Sequence, residues 1–292
     1  MVAASTLQIN RDSVIAGSRS LPSFPSVVSE ILATLDDPDG NFNVLVRAIN
    51  RDPLISARVI SVANTVAMRG ARESEVCDIA TATSLIGMSR VRHITLISSL
   101  NTFVAGAARH GLPHSFWQHS VAVGICCEEL AQWVDNPVSS SMALMAGLLH
   151  DIGQLWLHQN NPSLAQACRV QARKRAVSVE VFETAYFGVS HGTIGAWLLE
   201  HWSLPDAVVA AVGAHHSHVS TPGNPLVALV HVAEVLSNAL DLTGRIDNRV
   251  TTLSSAACQQ LGLVWNDESR ALFGRIEARA SHANAFFAKS AP

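Results

Sequence analysis

The sequence predicts an all-α protein. Apolar residues recur with the three-and-four spacing of a helix along nearly the whole chain. No run alternates polar and apolar residues as a half-buried strand does, and the valines are spread through helical patterns rather than clustered. With 48% hydrophobic and only 15% charged residues among 292, a large buried core is expected and disorder is not.

The elements follow in order. From Ser26, the positions Val27, Val28, Ile31, Leu32 and Leu35 form one helical stripe, broken by Asp36-Asp37-Pro38-Asp39-Gly40. A second helix begins near Asn43 with Leu45, Val46 and Ile49. Asp52-Pro53 then reads as an N-cap followed by proline at the first helical position, leading into Ile55, Val59, Ile60 and Val62. Residues 68–75 are polar and contain glycine, which predicts an exposed loop. Helical patterns resume through 80–85 and 91–104, with Gly87 between them. The small, polar stretch 105–113 ends in Pro113 and reads equally as a domain boundary or a bent helix junction. Beyond it the pattern predicts helices near 114–134, 139–150, 161–175, 178–186, 191–202, 206–216 and 225–240, and a last one within 267–289. The expected organisation is an N-terminal helical half over 15–112, a second half over 113–245 and a helical extension over 246–292, with the two halves packed as one body.

Charge and cysteine usage narrow the function classes. A formal charge of −3 gives no global attraction to nucleic acid or to an anionic membrane. Arg69, Arg72, Arg90, Arg92 and His93 are locally basic but sit in mixed sequence, which fits a solvated helix face better than a binding patch. The five cysteines show no C-x-x-C spacing and fit thiols used as small hydrophobes in a reducing compartment. The N-terminus MVAASTLQINRDSV lacks a secretory pattern, and the longest apolar stretches are cut short of a membrane span, so a cytoplasmic location is expected.

The residues able to carry chemistry are histidines and carboxylates, side chains that hold borderline or hard divalent metals. His119 shares a helical face with Phe116, Val123, Cys126 and Leu130, and His191 with Ile194, Gly195, Leu198 and Trp202. Either could be a satisfied core histidine or an inward-facing ligand. His150-Asp151 closes the apolar run from Met142 to Leu149 and offers an imidazole nitrogen beside a carboxylate. His215-His216 ends another apolar helix, where a histidine also suits the negative end of the helix dipole. Glu234 and His231 are the only polar residues in 226–236. A buried carboxylate needs a cation or strong donor, which the metal shell or a His231–Glu234 pair could provide.

The order of these segments resembles the HDOD family, the HD-related output domains of bacterial signalling. LPSFPSVVSEILATLDDPDGN, INRDPLISARVISVANT and ATATSLIGMSRVRHITL are similar to its N-terminal half. FWQHS, AGLLHDIGQLWL, SHGTIGAWLLEHWSLPDAVVAAVGAHHSH and LVHVAEVLSNAL are similar to its C-terminal half. The resemblance implies a helical fold whose second half is HD-like and whose role is regulatory. It places His119, His150, Asp151, His191, His215 and His216 at metal-shell positions, with Glu234 where the wider superfamily prefers aspartate. Nothing after His215-His216 resembles the DG-x-GYP signature of the related phosphodiesterases, so cyclic-di-GMP hydrolysis is not expected. Lys174 is the lone lysine before residue 267, and no lysine grip on phosphate is evident.

Two functions follow from the resemblance. One is a signalling module that binds a partner protein or a small ligand without turnover, with the site occupied by iron, manganese or zinc, or vacant. The other is a metal-dependent phosphohydrolase in which Asp151 is the catalytic residue. Neither involves a membrane or direct nucleic-acid binding.

Overall fold

In the computed structural model, the residues described are 7–18, 21, 30–31, 34, 37, 39–65, 76–88, 90–91, 94–95, 98, 114–134, 138–202, 204–216, 223–243 and 252–289. Among them every regular element is a helix, so the all-α class holds. The chain divides into two compact units, Pro22–Arg109 and Met1–Leu21 with His110–Pro292. Helix α1 (Arg11–Gly17) comes first in sequence but belongs with the later residues. Its start is held by Asn10, whose side chain accepts from the Ser13 N–H at 2.9 Å.

In the unit Pro22–Arg109, α2 (Phe42–Asn50), α3 (Pro53–Ala63) and α4 (Ile79–Ile86) pack on one another. Leu45, Ala48 and Ile49 form the buried stripe of α2. Asp52 accepts from the Ile55 N–H at 3.0 Å, so Asp52-Pro53 opens α3 in the way its residue types dictate. Asp78 caps α4 through the Thr81 N–H at 2.8 Å, and Gly87 ends it at φ 80°. The expected loop 68–75 and the junction 105–113 lie outside the described residues. Of the runs expected as helices from Ser26 and over 91–104, the few described members are helical.

The other unit continues with α5 (His114–Trp133), α6 (Ser140–Leu149), α7 (Ile152–Asn160), α8 (Pro162–Arg175), α9 (Val179–Phe187), α10 (His191–His201), α11 (Asp206–Ala214), α12 (Pro225–Ala239), α13 (Ser255–Gln260) and α14 (Ser269–Lys289). α6 is buried from Ala143 to Leu149 because α5, α11 and α12 all pack against it. An apolar run without a polar face suits such a central helix. Gly147 makes the α5–α6 crossing close, since a Cβ there would stand 2.8 Å from the Gly124 Cα. α7 crosses α10 more tightly still. A Cβ on Gly153 would sit 1.9 Å from the His191 carbonyl oxygen.

Helices α1, α7 and α13 have no counterpart in the sequence expectations. At 7 and 6 residues α1 and α13 display fewer than two turns of pattern, and α7 follows directly on Asp151, which interrupts the apolar run before it. α14 is fastened to α5 by charge: the Arg279 guanidinium binds both Glu128 and Glu129, and Arg275 Nε reaches Glu129 at 2.9 Å. Among the described residues, no helix is long and apolar enough to cross a membrane.

Candidate metal centre

Helix ends bring the histidines together. His150 follows the last residue of α6, and its Nδ1–H donates to the Gly147 carbonyl at 2.7 Å. His215 follows α11 in the same way, with Nδ1–H donating to the Val212 carbonyl at 2.7 Å. Last-turn carbonyls have no helical partner, so each satisfies one with the ring of its own helix end. Each ring's Nε2 is thereby left as the free lone pair. His191 opens α10, and its Nδ1 donates to Glu183 Oε2 at 2.6 Å. Asp151 sits at the N-cap of α7 but makes no side-chain cap bond. Its carboxylate turns instead to the histidines, with Gln154 donating to Oδ1 at 3.0 Å.

Around that carboxylate, His191 Nε2 and His215 Nε2 lie 3.3 and 3.9 Å from Oδ1. His150 Nε2 and His119 Nε2 lie 3.4 and 3.8 Å from Oδ2. Donor atoms of Asp151, His191, His215 and His216 fall within 4.8 Å of one another, as do those of His119, His150 and Asp151. The structure thus brings together His119, His150, Asp151, His191, His215 and His216. Glu234 meets the group only from outside, where its Oε2 is 3.5 Å from His216 Nδ1. His231 faces elsewhere: its Nδ1 donates to the His215 carbonyl, and its Nε2 accepts from the Ser254 N–H, each at 3.3 Å. His218 lies outside the described residues.

The donor set fits a divalent cation. His150 Nε2 is buried without a hydrogen-bond partner. His191 Nε2 and His215 Nε2 face each other at 3.3 Å although both Nδ1 atoms already carry the donated hydrogen. Two lone pairs do not face one another unless a proton or a cation lies between them. Two nitrogens bound to one ion at about 2.05 Å in tetrahedral geometry are also separated by roughly 3.3 Å.

Without metal, protons take up that role. Burial disfavours charge on His191, but Glu183 and Asp151 outweigh it and hold its pKa well above the ordinary imidazole value. Burial likewise opposes charge on His150, and Asp151 overcomes it to raise the pKa. Burial would push Asp151 up, yet His150 and His191 keep it well below the usual carboxylate range. Burial and then His216 depress His215 strongly. Burial, aided by charge on His191, brings His216 down to about 3. Glu234 is raised by burial to about 7.

Three supporting residues were not anticipated from sequence. Glu183 is buried behind His191, Glu180 lies 3.9 Å from His216 Nδ1, and Gln154 steadies Asp151. Glu183 left a signal, because it stands beside Phe182 and one turn before Phe187, and the structure buries all three. Glu180 and Gln154 left none, being ordinary polar residues in the first turns of short helices.

The sequence model of the HDOD domain matches residues 21–218. The chain is 24% identical over 224 residues to an uncharacterized protein of Treponema pallidum (strain Nichols), spanning 76% of this chain and 43% of that one. It is 34% identical over 122 residues to a ribonuclease Y of Desulfotalea psychrophila, spanning 42% and 18%. The chain therefore covers less than half the length of these curated relatives. An HDOD domain protein of unknown function from Geobacter sulfurreducens shares the fold with a TM-score of 0.64 at 19% identity, over 93% of this chain and 98% of that one. A candidate signal transduction protein from Marinobacter aquaeolei VT8 does so at 0.68 and 21%, over 98% and 63%. A candidate phosphohydrolase from Shewanella amazonensis SB2B does so at 0.60 and 20%, over 92% and 93%.

Proposed function

The chain belongs to the HDOD family, and from that premise we propose that it is a regulatory output module of bacterial signalling. It acts in the cytoplasm by binding a partner protein or a small ligand, and it holds a divalent cation without turning over a substrate. The observation that supports this reading best is the closure of the centre: His119, His150, Asp151, His191 and His215 are none of them more than 6% exposed. Structural metal sites are filled by protein ligands, whereas catalytic ones keep a position for water and substrate.

In this reading His119, His150, Asp151, His191, His215 and His216 supply the ligands. Glu234 and Glu180 steady His216, as Glu183 steadies His191. Imidazole nitrogen with one carboxylate suits iron, manganese or zinc. The ion, when bound, neutralises the buried Asp151 and joins the ends of α6, α10 and α11.

One observation favours a second reading, a metal-dependent phosphohydrolase. The His216 and Glu180 side chains remain 21% and 23% exposed, so the centre has one side facing solvent, and Asp151 would be its catalytic group. An assay of nucleotides, cyclic dinucleotides and generic phosphodiesters with added manganese or iron separates the two. The module reading expects no turnover, and partner binding that survives His150→Ala with Asp151→Ala. Turnover that disappears in that double variant would replace it with the hydrolase.

A further inference from the structure

Outside the segment that the HDOD model matches, α12, the chain after residue 252 and α14 flank a half-open cavity of about 260 Å³. Leu236 and Ala239 of α12 line it together with Leu253, Trp265 and Phe273, and every described lining residue is apolar. The Trp265 and Phe273 rings lie 5.8 Å apart at a tilt of 36°. Trp265 is still 38% exposed and Ala239 is exposed as well, which gives the cavity a mouth. Protein cores close such spaces, because unfilled volume forfeits dispersion contacts. An apolar cavity of about 150 Å³ stays dry and takes up benzene, so this one has room for a second ring.

The wall of this cavity is wired to the metal centre. Leu253 is followed by Ser254, whose main-chain N–H donates to His231 Nε2 at 3.3 Å. That bond leaves the ring hydrogen on Nδ1, which donates to the His215 carbonyl at 3.3 Å. His215 in turn presents its Nε2 to Asp151. One imidazole thus joins the segment that lines the cavity to the backbone of a residue in the centre.

We propose that the cavity is an effector site for a small, uncharged, apolar molecule of one or two rings, and that His231 transmits its occupancy to His215. The second half rests on reading the centre as the working site of the module. An occupant that displaces Leu253 moves the Ser254 N–H, and His231 can keep both of its bonds only by shifting the His215 carbonyl.

The test uses the full chain, free of metal, and the two-ring fluorophore 1-naphthylamine, which is uncharged at neutral pH. The expected result is saturable binding with intermolecular NOEs from the probe to the Leu236 and Leu253 methyl groups. Ala239→Phe, which fills the mouth from an exposed position, should weaken binding at least about tenfold. With 15N-labelled histidine, the His215 and His231 ring signals should shift on saturation. In His231→Ala the probe should still bind while the His215 shift is lost. No saturable binding, or NOEs to other residues only, would overturn the site. Binding that leaves His215 unmoved would overturn the link. Failure of the chain to hold metal would show in its metal content and would leave all these signals as expected, so the two readings fail separately.

Discussion

Glu183 Oε2 accepts two hydrogens from one residue, the ring Nδ1–H of His191 at 2.6 Å and its main-chain N–H at 2.9 Å. A single carboxylate oxygen therefore sets the tautomer of the ring and anchors the first turn of α10. Glu183→Gln preserves the size but loses the charge that makes the ring basic. Metal affinity should fall about 10- to 100-fold, as for other carboxylates behind a ligating histidine, with the helix content unchanged. Competition with a chelator of known affinity measures this. Equal affinity in the variant would mean that Glu183 serves the fold alone.

Stability of the metal-free chain should peak near pH 6.5, the ordinary imidazole value. Below it, His215 and His216 stay neutral when folded but take up protons when unfolded, so stability rises with pH. Glu234 opposes them, because between 4.5 and about 7 it keeps a proton that the unfolded chain has released. Above 6.5, His150 and His191 hold protons that the unfolded chain has lost, so stability falls until pH passes their raised values. Ligating imidazoles carry no proton on the bound nitrogen, and added manganese or zinc should abolish that upper fall. Melting temperature against pH, with and without metal, reads both limbs. A metal-free chain that grows steadily more stable above pH 6.5 would contradict the assignment.

Gly153→Ala tests whether the α7–α10 crossing positions the centre. The added Cβ would meet backbone, the His191 carbonyl and the Gly195 N, which cannot swing aside as a side chain does. Helix α10 must move, taking His191 with it. We expect a loss of about 1–3 kcal/mol or more in denaturant unfolding, together with weaker metal binding. Lost stability with unchanged affinity would show that the crossing is architectural only.

How much of this was legible in the sequence depends on the length of each signal. The apolar positions Leu45, Val46 and Ile49, and the run closing at His150-Asp151, declared their helices, but the structure buries Ala48 with Leu45 and Ile49 and leaves Val46 half-buried. His119 and His191 declared their inward direction through their neighbours but not their convergence on the Asp151 carboxylate, which only the packing of separate helices brings about. α7 was hidden because Asp151 interrupts the apolar pattern just before a nine-residue helix. Between the metal shell and a pair with His231 the sequence leaves Glu234 open; in the structure it stands against His216, while His231 bonds backbone atoms.

The clamp between α14 and α5 should be a strong support of the C-terminal helix. Arg279→Met leaves Glu128 and Glu129 without a guanidinium that both now bind. A broken buried pair costs about 3–5 kcal/mol, and the low end applies because Arg279 keeps 28% exposure. Adding Glu128→Gln and Glu129→Gln should recover part of the loss, since the charges that Arg279 balanced then vanish, although Arg275 stays beside Glu129 throughout. A triple variant less stable than Arg279→Met would show that the carboxylates have other partners that matter more.

The central claim is that His119, His150, Asp151, His191, His215 and His216 form a shell around the Asp151 carboxylate that holds a divalent cation. Elemental analysis of the chain purified without a chelating tag, beside Asp151→Asn, tests it most directly. The account predicts iron, manganese or zinc at about one per chain in the wild type and little in the variant, because the carboxylate lies within reach of the His119, His150, His191 and His215 rings. A wild-type chain that emerges without metal, and takes up none of the three on dialysis, would contradict it.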